Sequence, residues 1–244
     1  MEHDIESGPS YALLNVSLDQ GEQVIAESSA MVSHDPGISI ETNAAGGFLK
    51  SLSRSLLGGE SFFQNTFTAD DPGRVSFAPP LPGDITAHEL EDETVYVQSG
   101  SFLASDPAID LDTEFGGAKT FFGSEGLFLL RASGTGPLFM SSYGGITVVD
   151  LTPDDTYHVD TGHIVAFEST ADFTVRRVGG LRSTVLSGEG LVAEFTGEGR
   201  IWIQTRSVDT FLSWLIPKLP SRPSNRPGRT YRRAIDVCFR QFHW

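Results

Sequence analysis

The 244-residue chain is short of several things, and each shortage excludes a class of chemistry. It has one cysteine, Cys238, so no intramolecular disulfide can form and no zinc knuckle can be built from thiolates. This fits a reducing compartment. Lysine is almost absent, with only Lys50, Lys119 and Lys218, and 17 basic residues face 32 acidic ones for a net charge of −15. A surface that acidic repels phosphate backbones, so no duplex nucleic-acid partner is expected. Carboxylates placed in turn-like positions, such as Asp70, Asp71, Asp154 and Asp155, suit a salt-rich cytoplasm, where salt screens self-repulsion. No window approaches the roughly 20 apolar residues of a membrane span, and "MEHDIESGPSYALLNV" lacks the basic start and apolar block of a secretory signal. These absences lead us to expect a soluble cytoplasmic protein.

What is abundant is glycine (26) and phenylalanine (17), in short apolar runs broken by Gly, Asp, Pro and Ser. That pattern predicts strands joined by tight turns, an all-β fold rather than long helices. Self-similarity sharpens the expectation. "GGESFFQNTFTA" from Gly58, "GSEGLFLLRASG" from Gly123 and "SGEGLVAEFTGEG" from Ser187 align on Glu60, Glu125 and Glu189, each followed by alternating apolar positions. A second set comprises "SSAMVSHDPGISIET" from Ser28, "SGSFLASDPAIDLDT" from Ser99 and "TGHIVAFESTADFTV" from Thr161. Asp35–Pro36 and Asp106–Pro107 mark turns that open onto strictly alternating strands. Two motif sets in the same order predict three β units of about 65 residues, packed about a pseudo-threefold axis within one domain over 1–217.

Catalytic chemistry finds no candidate residues, and neither a cofactor nor a metal is expected. The segment "GGFLKSLSRSLLGGES" from Gly46 has no G-x-x-x-x-G-K-[ST] phosphate loop. Its Phe48, Leu49, Leu52, Leu56 and Leu57 fall on one face at helical spacing, with Lys50 and Arg54 outside that stripe. Two uses compete: a short helix packed at a unit end or subunit interface, or contact with an anionic membrane surface, where two cations give only about 1 kcal/mol each. Gly58, Gly59, Glu60, Glu125, Gly126, Glu189 and Gly190 are read as repeated turn elements whose carboxylates accept backbone N–H groups, in preference to a converging metal trio. "HVDTGH", with His158, Asp160 and His163, lacks H-E-x-x-H and is read as a hairpin. There is no G-x-S-x-G elbow.

From Lys218 to Trp244 the composition reverses, with seven basic residues against the single acid Asp236 and with Pro220, Pro223 and Pro227 breaking regular structure. This tail is expected to be disordered. An electrostatic arm, a segment folded back on the acidic body and a frame error remain open readings of it. Just before it, Phe211, Leu212, Trp214, Leu215 and Ile216 form an apolar turn expected to pack on the body or on a neighbouring subunit.

The ordered series "GGFLKSLSRSLLGGESFFQNTFTA", "LPGDI", "SGSFLASDPAIDLDTEFGG", "FFGSEGLFLLRASGTGPLFMSSYGGI" and "LSGEGLVAEFTGEGRIWIQTRS" resembles the altered inheritance of mitochondria protein 24 family, over about residues 8–217. The resemblance implies a β fold related to that of the tryptophan RNA-binding attenuation protein, homotrimeric assembly and no established enzymatic activity. Its mitochondrial members are implicated in inner-membrane organisation, which does not carry over to a prokaryotic cytosol. RNA binding is not implied, since fold does not transfer function. The expected role is a non-enzymatic scaffold or binding module, with peripheral membrane association and a metal-dependent enzyme as alternatives.

Overall fold

A computed structural model describes residues 1–42, 64–113, 129–177 and 191–219. A leading strand β1 (Glu2–Glu6) precedes three groups of strands. The first group is β2 (Leu13–Leu18), β3 (Gln23–Glu27), β4 (Met31–His34), β5 (Ile38–Thr42), β6 (Gln64–Ala69) and β7 (Gly73–Phe77). The second is β8 (Ile85–Gln98), β9 (Phe102–Ser105), β10 (Asp110–Thr113) and β11 (Leu129–Ser141). The third is β12 (Ile146–Leu151), β13 (Thr156–Asp160), β14 (Ile164–Glu168), β15 (Asp172–Arg177), β16 (Leu191–Thr196) and β17 (Gly199–Gln204). The all-β expectation holds, with one α-helix among the described residues, α1 (Val208–Leu215).

The groups share one pairing scheme. In the first, β7 pairs with β2 and β4 while β6 pairs with β3 and β5. In the third, β17 pairs with β12 and β14 while β16 pairs with β13 and β15. In the second, β8 and β11 are each long enough to do the work of two strands. Their far halves pair as β2 with β7 do, their near halves as β3 with β6, and β9 and β10 flank β11 in the remaining positions. The fusion bends where the register shifts between Gly134 and Thr135, opposite Asp92, which adopts φ 62.

The repeated Asp-Pro motif falls on equivalent turns. The N–H of Ile38 donates to the carbonyl of Asp35 at 3.1 Å, that of Ile109 to Asp106 at 3.1 Å, and that of Ala171 to Glu168 at 3.2 Å. The turn carboxylate then accepts a backbone N–H from the facing strand: Arg74 to Asp35 at 2.8 Å and Arg200 to Glu168 at 2.9 Å. At the matching place in the second group stands Pro137, which has no N–H, so Asp106 takes the N–H of Ala108 at 2.8 Å instead. Gly136, at φ +125, lets the backbones close here, since a Cβ on it would lie 2.9 Å from that of Asp106.

Adjacent groups join by one kind of contact. β9 of the second group pairs with β3 of the first through Ile25↔Ser105 and Ala26↔Ala104. β14 of the third pairs with β8 of the second through Ala166↔Val97, Phe167↔Tyr96 and Glu168↔Val95. These junctions fuse ten strands into one sheet and leave two smaller sheets, β1-β2-β7-β4 and β13-β16-β15. Because β9 and β14 are covered on both faces, they read as continuous apolar runs, FLA and IVAF, rather than alternating ones. Three apolar clusters follow the groups, centred on Leu14, Phe67 and Phe77, on Leu90, Leu130 and Leu138, and on Phe167, Phe195 and Ile201. In the last, the rings of Phe167 and Phe195 meet edge to face at 5.1 Å.

Met1–Asp209 forms one compact unit. The second runs from Thr210 to Trp244, and its described part ends at Leu219. No residue of α1 is buried, and Trp214 is 57% exposed.

Candidate functional site

The sequence-predicted positions are placed unevenly. Phe48, Leu49, Lys50, Leu52, Arg54, Leu56, Leu57, Gly58, Gly59, Glu60, Glu125, Gly126, Glu189 and Gly190 lie outside the described residues, as does the basic segment from residue 220. The two histidines of "HVDTGH" are not a hairpin pair. The chain passes from β13 through a 3-10 turn, Thr161–His163, into β14, and these strands belong to different sheets. His158 Nε2 lies 2.7 Å from Glu194, which also pairs with Arg176, whereas His163 Nδ1 meets the carbonyl of Gln204 at 2.7 Å. Asp160 caps the turn by accepting the N–H of Gly162. No described helix is long and apolar enough to cross a membrane.

The geometry singles out a cluster that the sequence reading missed: His88, Glu93 and Glu168, whose ligand atoms lie within 4.8 Å of one another. His88 and Glu93 flank the bend of β8, and Glu168 ends β14 beside it. His88 Nε2 is 2.8 Å from Glu93 Oε1. The imidazole is 13% exposed and packs T-shaped against the buried Trp202 ring, centroids 4.9 Å apart, while Glu93 opens to solvent. One oxygen of Glu168 accepts the Arg200 N–H. The Arg200 guanidinium donates from Nε to Asp150 at 2.8 Å, the bond that chiefly raises its pKa, with Glu168 and Glu93 adding to the effect.

Comparison within the chain shows how this cluster arises. Leu18, Leu90 and Leu151 face Gly73, Gly136 and Gly199, and two residues earlier stand Val16, His88 and Val149. The strand link that follows is Asp19–Glu22 in the first group and Thr152–Asp155 in the third, but only Glu91–Glu93 in the second. In the longer links the last carboxylate folds back on its own turn. Glu22 accepts the N–H of Asp19 at 2.9 Å and Asp155 that of Thr152 at 2.7 Å, and these bonds hold both carboxyls below their ordinary pKa. The shortened link places Glu93 on His88 instead. A one-residue deletion between "HEL" and "DET", visible once the repeats are aligned, was the signal available in the sequence.

A second feature is a pair of open edges. β4 ends one small sheet and β13 ends the other. All four residues of β4 are exposed, as are Thr156, Tyr157 and His158 of β13. By position in their groups, β4 corresponds to β9 and β14, and β13 to β3 and the near half of β8: the two kinds of strand that meet at both internal junctions.

The family model described as Mitochondrial biogenesis AIM24 matches residues 3–206. An uncharacterized protein of Streptococcus pyogenes serotype M6 is 28% identical over 229 residues, covering 91% of this chain and 92% of that one. An X-ray crystal structure of a Streptococcus pyogenes protein superposes with a TM-score of 0.76 at 28% identity, covering 89% of this chain and 99% of the other.

Proposed function

Since the chain belongs to the Mitochondrial biogenesis AIM24 family, we propose that it is a non-enzymatic scaffold that works as a homotrimer, its chains joined by β13 of one pairing with β4 of the next. The supporting observation is the junction grammar. Each internal junction consumes one strand of the β4 kind and one of the β13 kind, and each chain is left with one of each, exposed at a sheet end. A closed pseudo-threefold unit would pair them within the chain. Exposed Val32, Met31 and Tyr157 on these strands favour pairing between chains. Such a contact is heterologous, so it forms either a closed ring or an open fibre, and closure at three chains matches the assembly that the family resemblance implies. The setting is a salt-rich cytoplasm, where the −15 charge of each chain is screened.

Light scattering on the full chain in 2 M KCl tests this reading together with Val32→Lys and Tyr157→Lys, which place a charge on one edge each. The wild type is expected as a trimer and each variant as a monomer. Mixing the two variants leaves one intact β13 and one intact β4, so a 1:1 dimer that cannot grow is expected. A monomeric wild type, or trimers that survive both substitutions, would refute the proposal.

A further inference from the structure

We infer that His88, Glu93 and Glu168 form a binding site for a divalent cation of the zinc class, which ties the second strand group to the third. The donor set is one imidazole and two carboxylates, suited to a borderline cation with water completing the shell. Tetrahedral coordination at metal–ligand distances near 2 Å needs ligand atoms about 3.3 Å apart. The 2.8 Å contact between His88 and Glu93 must therefore open by about half an ångström, and Glu168, within 4.8 Å of both, must draw in. All three side chains are partly exposed, which leaves them room to rotate.

Three features favour a site over an incidental ion pair. First, the fold does not require a histidine at position 88: the equivalent places hold Val16 and Val149, which pack as ordinary strand residues. Second, the shortened link turns Glu93 away from the turn-capping role of Glu22 and Asp155 and onto His88. Third, the cluster has a supporting frame. Trp202 packs T-shaped against the imidazole, the Arg200 N–H fixes one oxygen of Glu168 and leaves the other free, and Asp150 accepts a hydrogen bond from the Arg200 guanidinium. Fixed orientation of a first ligand by such outer contacts is the usual way a protein tunes a metal. The site lies where Glu168 meets Val95 across the junction of β14 with β8, so the bound ion would add a bridge beside the three residue pairs of that strand junction.

The test uses the full-length chain stripped of metal. Zn²⁺ is titrated against a chromophoric chelator, and Co²⁺ is added in parallel to read its visible d–d band. The variants are His88→Val, which restores the residue type of the equivalent positions and so preserves packing, and Glu93→Gln, which preserves shape. His158→Ala, at the unrelated pair with Glu194, is the control. The wild type and the control are expected to bind one Zn²⁺ per chain, with both site variants at least tenfold weaker and lacking the Co²⁺ band. Failure of the wild type to take up one equivalent, or undiminished binding by His88→Val, would overturn the inference.

Discussion

Glu27 carries a carboxyl whose pKa burial raises from 4.5 to about 7, and its replacement by glutamine should stabilise the protein at alkaline pH. The residue ends β3 opposite Gln64, whose Nε2 is buried without a hydrogen-bond partner. The folded state holds the carboxyl proton to a higher pH than the unfolded chain does. Its stability is therefore complete below about pH 4.5, declines as pH rises through the folded pKa, and is constant above it. A shift of this size corresponds to about 3 kcal/mol at most, which solvent on the open side of the group reduces to about 1–2 kcal/mol. Glutamine has no charge to desolvate, and the scaffold already accepts it: the equivalent residue of the second group is the buried Gln98. The third group answers differently, with Asp160 accepting a backbone N–H.

Urea unfolding of wild type and Glu27→Gln, at pH steps from 4 to 8 and one protein concentration, isolates the effect, since other titrating groups cancel in the difference. Near-equal stabilities at pH 4 and a variant more stable by about 1–2 kcal/mol at pH 8 are expected. A gap that does not change between pH 4 and pH 8 would refute the reasoning.

Gly83→Ala should destabilise the fold by about 2–4 kcal/mol, because the new Cβ would overlap the carbonyl oxygen of Ser142 across the Gly83–Gly144 bridge. Gly145→Ala, whose nearest neighbour atom would be 3.9 Å away, should cost under about 1 kcal/mol in the same denaturation assay. With a charge of −15 per chain, the thermal midpoint should rise between 0.1 and 2 M KCl, while 2 M sorbitol, which does not screen charge, should raise it less. Equal midpoints in the two solutes would remove the electrostatic explanation.

The sequence made local features legible and long-range ones obscure, for physical reasons. The Asp35 and Asp106 turns, and the strands that leave them, could be read because an Asp-Pro pair and period-two alternation act within a few residues. The "HVDTGH" segment misled because a 3-10 turn carrying the chain from one sheet to another uses the same short polar residues as a hairpin. The fusion of strands into β8 and β11 has no local marker beyond a shorter link, since a continuous strand and two strands share one alternation. The His88 cluster was hidden for a related reason. It exists only because β14 lies beside β8, and pairing between distant strands is set by packing rather than by any pattern in either segment.

The open edges bear on how such a chain stays in solution. An exposed strand edge is a template for uncontrolled pairing, and proteins blunt it with lysine, proline or inward charges. β4 reads MVSH and β13 reads TYHVD, with no lysine or proline in either and with Val32 at 57% exposure. Elsewhere in the chain an edge receives cover: β1 lies along β2 and hides the side of the first group that would otherwise be open. Bare edges as complementary as those of β4 and β13 need no such protection if they meet in the working assembly. Pairing there would recover backbone hydrogen bonds of the kind that the short junctions of β3 with β9 and of β14 with β8 already make within the chain.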